Sequence, residues 1–171
     1  MLSFGSVAVT PAGRMVAEFE ATLCCLDAAT VDPEVEAWWQ TQPEAYAAAT
    51  SNPKPASTVM PQFVQWIRNL AGDAIFVAHP LALDGPWIDH YLQRFTPERL
   101  LDKPWRPERL FKAALICLMS LAAGRLGRPI WECDVSRYPP EWLGQHEHTH
   151  RAIDDARGYA NLVAHLVNSS S

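Results

Sequence analysis

The opening of the chain constrains the fold most. Two β-rich runs, "LSFGSVAV" (Leu2 to Val9) and "RMVAEFEATL" (Arg14 to Leu23), are separated by "TPAG". Proline and glycine suit a turn there, so the pair predicts a β-hairpin. Beyond Leu23 the apolar period changes from two to that of helices, so a purely β architecture is excluded.

"VDPEVEAWWQTQ" has an acidic first turn and Pro33 at a first helical position, which marks a helix start. A second short helix is expected in "PEAYAAAT". In "TVMPQFVQWIRNLAG" Val59, Phe63, Trp66, Ile67 and Leu70 share one helical face, with Gly72 as the stop. "AIFVAH" (Ala74 to His79) reads as a short buried strand. "DGPWIDHYLQRF" then opens on a capping-type Asp84 and carries Trp87, Ile88, Tyr91, Leu92 and Phe95 at helical spacing. "FKAALICLMSLAAGRLG" reads as a strand into Cys117 followed by a helix. A last helix is expected from about Ala152 to Val167. The order predicts one α/β domain over 1–167, with a mixed sheet, and a short tail at 168–171.

Hydrophobic residues make up 49% and charged ones 19% of the 171 residues, which excludes a disordered chain and allows one domain with a real core. No apolar run approaches the roughly 20 residues of a membrane span, and the first residues lack the pattern of a signal peptide. The four cysteines form no zinc-type pair, and only Cys133 sits in a polar setting. Reduced thiols in a cytoplasmic protein are the expectation. A formal charge of −5 argues against indiscriminate coating of nucleic acid, yet leaves room for a local basic surface.

Two segments carry the chemistry. In "VAHPLALDGPWIDHYL" an apolar strand ends and Asp84 opens a helix. In "HTHRAIDDARGYANL" His150 precedes Asp155 by five residues, again near a helix start. A carboxylate at a helix N-terminus keeps its charge and can hold a cation. A histidine titrating near neutrality can serve as a base beside it. Asp154 reads as a solvated first-turn acid.

With these residues in view, "HRAIDDA" resembles the third motif of the DEDDh 3′–5′ exonucleases, His-x-Ala-x-x-Asp-Ala, with His150, Ala152, Asp155 and Ala156 in place. "AHPLALD" is similar to their second motif, matching at Ala78, His79 and Asp84. "WWQTQPEA" (Trp38 to Ala45) resembles an RNase T-like, RNase AS-type exoribonuclease subgroup. The resemblance implies an RNase H-like mixed sheet flanked by helices, acting on single-stranded RNA or DNA 3′ ends. It implies two divalent ions, Mg²⁺ or Mn²⁺, for phosphodiester hydrolysis. Asp84 and Asp155 would be metal ligands and His150 the base, all three meeting in one cleft. Trp38, Trp39 and Leu83 would lie toward the nucleotide. Pro80 and Leu83 depart from the asparagine and phenylalanine usual at their positions.

The family's first motif, Asp-x-Glu on a central strand ahead of the hairpin, has no counterpart. Asp32-Pro33-Glu34 has the spacing, but proline cannot sit in a central strand. Glu18 and Glu20 share a strand face, but on the hairpin's second strand. The expectation is therefore an exonuclease domain whose N-terminal central strand is missing, impaired as it stands, or an inactive relative serving as a nucleic-acid-binding or assembly module. The gap between hairpin and "AIFVAH" would then close by direct pairing, be filled by a second copy in a homodimer, or cost solubility.

Other readings compete. His146, His148 and His150 alternate, a pattern that can hold a metal. His79 is expected to pack at the strand end, and Trp66 and Trp87 to join the core, while one of Trp38 and Trp39 reaches the groove. Six basic residues lie between Arg94 and Lys112, either a solvated face or a phosphate-contacting one.

Overall fold

A computed structural model describes residues 1–103, 105–112 and 115–168. The hairpin forms as expected, β1 (Ser3–Val9) antiparallel to β2 (Met15–Thr22), with Phe4 opposite Ala21 and Val7 opposite Glu18. Its turn is closed by Gly13 N–H on the Thr10 carbonyl at 2.8 Å. Helix α1 (Pro33–Gln40) starts where Asp32 accepts the N–H groups of Glu34 and Val35, and α2 (Pro43–Ala49) comes directly after it. Helix α3 (Ala56–Arg68) ends at Asn69, short of Gly72, because the Asn69 N–H closes on the Gln65 and Trp66 carbonyls.

The "AIFVAH" segment departs from expectation. Only Val77–Ala78 are a strand, β3, which pairs in parallel with β4 (Ile116–Cys117). A strand keeps its ladder only where a neighbour meets its backbone, and among the described residues β3 has one neighbour of two residues. Helix α4 (Leu81–Phe95) begins at Pro80, so Asp84 lies inside its first turn instead of capping it. Helix α5 is Leu118–Leu126, three short 3₁₀ turns succeed it, and α6 (Ala152–Asn168) closes the chain. Asn168, expected in the tail, is helical; residues 169–171 lie outside the described part.

Among the described residues the expected single mixed sheet is two two-stranded sheets, β1–β2 and β3–β4. Each has its own apolar wall. On one side Phe63 of α3 meets Phe4 at 5.1 Å and Phe19 at 5.2 Å between ring centroids, and Ile88, Tyr91 and Leu92 of α4 complete the cluster. On the other, Leu118 and Ala122 of α5 pack on Leu162 and Leu166 of α6. Trp66 packs against the first cluster, but Trp87 is 49% exposed and lines an open cleft.

At Gly5 the two parts come close together. A Cβ there would stand 2.6 Å from the Ile153 Cα, so only glycine lets the first turn of α6 lie against β1. Arg157 ties the same elements together, pairing with Glu18 of β2 at 2.7 Å and with Asp154 at 3.0 Å. No described helix is long and apolar enough to cross a membrane.

Candidate functional site

Between the half-sheets runs a cleft of about 2130 Å³. β1 lines one side and residues 74–79 the other, so the hairpin and "AIFVAH" do not pair directly. Asp84, His148, His150 and Asp155 all line it, as do Trp38 and Leu83.

Asp155 arrives from the first turn of α6. Four residues on, one turn along the same face, Tyr159 also enters the cleft. Asp84 arrives from the first turn of α4. Both carboxylates therefore sit at positive helix ends, which favours their charge. Burial, and after it the nearby Asp155 charge, nevertheless raise the Asp84 carboxyl to about 6. The Tyr159 phenol is pushed well up by burial and by the same two carboxylates.

The histidines reach the site through a strained turn. His150 has φ of +60°, in the left-handed region, directly before α6. Such backbone costs on the order of 1 kcal/mol and is held by surrounding structure. The reversal brings the His148 and His150 rings to 4.4 Å, while the Trp38 ring stands perpendicular to that of His150 at 5.1 Å. His148 Nδ1 lies 2.9 Å from Asp155 Oδ1, and this carboxylate raises the imidazole's pKa against partial burial, which lowers it. Asp155 Oδ1 is buried, and the His148 imidazole is its ion-pair partner. A buried carboxylate held by one titratable imidazole is open to a cation.

Several sequence readings shift here. Asp154 is no solvated acid: it accepts the Thr149 hydroxyl at 3.0 Å and Arg157 at 3.0 Å, and pins the loop to the helix. His79 packs as expected, its ring stacked on Tyr159 at 5.0 Å and its Nε2 3.2 Å from the Cys133 carbonyl. Burial pushes its pKa down. Cys133 is fully buried instead of polar, Cys24 and Cys25 are exposed, and all four thiols are free. Glu18 is engaged by Arg157, which lowers its pKa. In the basic stretch, Arg106 pairs with Asp102, Arg109 donates to the Lys112 carbonyl, and Arg94 lines the cleft. Sequence reasoning missed His148 as the partner of Asp155, and Tyr159 and Asp134 as cleft residues. The Asp155–Tyr159 spacing of four was the available signal for Tyr159; Asp134 had none.

An α/β domain that gathers two carboxylates and two imidazoles in an open cleft has the make-up of a hydrolase. The family described as 3′-5′ exoribonuclease Rv2179c-like domain matches residues 1–167, and the chain belongs to it. No curated protein matches the chain.

Proposed function

We propose that the cleft hydrolyses phosphodiester bonds at single-stranded 3′ ends, with RNA favoured, releasing nucleoside monophosphates. The observation that carries this reading is the meeting of Asp84 and Asp155 in one cleft, close enough for the charge of one to raise the other. Two like charges at close quarters fit a divalent cation such as Mg²⁺ or Mn²⁺. When bound, such ions would supply the positive charge that neutralises a scissile phosphate and lowers the pKa of water. Asp84 and Asp155 would hold them. His150 would take the proton of the attacking water, its ring packed against that of Trp38. Trp38, Trp39 and Leu83, the last 59% exposed on the rim, offer surfaces on which terminal bases would stack or pack.

The two-ion arrangement of the DEDDh resemblance uses four carboxylates, and Asp84 and Asp155 are two. The RNase H-like reading puts an Asp-x-Glu strand between the hairpin and "AIFVAH", where the cleft now separates them. We therefore expect weak hydrolysis from the 171-residue chain and recovery when an N-terminal strand carrying Asp-x-Glu is added.

The test is release of monophosphates from single-stranded RNA with Mg²⁺ or Mn²⁺, for both forms. Recovery that Asp155→Asn abolishes is the expected result. Full activity without the added strand would overturn the impairment and make Glu18 or Glu20 a ligand. Inactivity of both forms, with RNA still bound, would favour a nucleic-acid-binding module.

A further inference from the structure

We propose that His148, His150 and Asp155 form a binding site for one transition-metal ion of the Zn²⁺ class. One ligand atom from each lies within 4.8 Å of the other two. Ions of this class take nitrogen and oxygen ligands at about 2.0–2.2 Å, which sets the ligands roughly 3–3.5 Å apart around them. His148 Nδ1 and Asp155 Oδ1 already stand at 2.9 Å, so the remaining closure is a matter of side-chain rotation of about 1 Å.

The local backbone builds this arrangement. Along "HTH" the two imidazoles would project to one side of an extended strand. The left-handed turn at His150 instead folds them against each other, over the first turn of α6. Asp155 contributes the buried oxygen that already pairs with His148. His146, the third of the alternating histidines, is left out of the cluster: its Cβ would lie 3.9 Å from a Cβ placed on Gly158 of α6.

The donor set decides the metal. Two neutral imidazoles and one carboxylate suit a borderline ion, whereas Mg²⁺ demands oxygen ligands and keeps its waters. Three protein ligands beside an open cleft leave a fourth position for water. The site shares His150 and Asp155 with the hydrolytic arrangement proposed above. Resting on that reading, the corollary is that zinc occupancy and RNA hydrolysis exclude each other at this cleft.

Calorimetric titration of the metal-free 171-residue chain with Zn²⁺, without RNA, tests the proposal separately from the nuclease reading. The Cys24→Ser/Cys25→Ser background removes the two exposed thiols as competing ligands. The expected result is one Zn²⁺ per chain, bound at least tenfold more weakly after His148→Ala and after Asp155→Asn, and undisturbed by millimolar Mg²⁺. Co²⁺ in the same site should show the visible absorption of a nitrogen-ligated ion, lost in His148→Ala. Absence of stoichiometric Zn²⁺ binding overturns the proposal. So does binding that survives His148→Ala, or that disappears with the thiols. Failure of RNA hydrolysis, in contrast, leaves this titration unaffected.

Discussion

Strand β1 borders two regions built on opposite rules. Toward α3 and α4 it presents Phe4 to a closed wall, where Phe63 is 1% exposed and Leu92 fully buried. There the buried Asp89 carboxylate is met by the Leu100 and Leu101 N–H groups at 2.8 and 3.0 Å. Toward β3 the same strand faces the cleft, where Asp155 is met by the titratable His148 imidazole and Asp84 titrates high. In the wall the Asp89 carboxylate holds backbone. In the cleft Asp84 and Asp155 stand near each other with like charges opposed, which suits a site for a cation.

The largest effect should come from the wall. Phe63→Ala removes a ring that touches Phe4, Phe19 and Trp66, and should cost about 3–5 kcal/mol of unfolding free energy in a denaturant titration. A cost below about 1 kcal/mol would mean that the wall does not hold the hairpin.

Next in size is the seam between wall and cleft. Gly5→Ala pushes a methyl into the Ile153 backbone, and overpacking of this kind costs about 1–3 kcal/mol. Because the contact falls on the first turn of α6, the substitution should also displace Asp155 and weaken Mn²⁺ binding. Unchanged stability and metal affinity would show that α6 is not seated by this glycine.

In the cleft the sign reverses. Asp84 binds its proton more tightly folded, near pH 6, than unfolded, near pH 4. Between those values the native state holds more protons, so stability falls as pH rises and the loss is complete above about pH 6. Asp84→Asn removes that cost. The variant should gain about 1–2 kcal/mol at pH 7–8, shrinking to nothing near pH 4, while divalent-ion binding falls. A variant equally or less stable at pH 8 would contradict the strained-carboxylate account.

The smallest effect on stability belongs to Trp38, which is 41% exposed. Trp38→Ala should change unfolding free energy by no more than about 0.5 kcal/mol. Its effect on single-stranded RNA affinity should be larger, about 1–3 kcal/mol, if a base stacks there. Equal affinity would remove Trp38 from the substrate surface.

What could be read directly was local. The hairpin, the helix start at Pro33, the β4–α5 switch at Cys117 and the α6 start with Asp155 in its first turn come from period, turn residues and helix-start signals. Those signals act within a few residues, so no tertiary information is needed to see them. The motif segments around Asp84 and Asp155 were legible for the same reason. Tertiary structure decided how these pieces meet. It shortened "AIFVAH" to two paired residues, because strand length depends on a neighbour's backbone. It left Trp87 exposed, since helical spacing says which residues share a face but not which face is covered. It also turned His148 toward Asp155 through one left-handed residue at His150 and joined α6 to β1 through the missing Cβ of Gly5. The second depends on close approach between residues far apart in the chain, and the first on a backbone reversal that the residue type at position 150 does not announce.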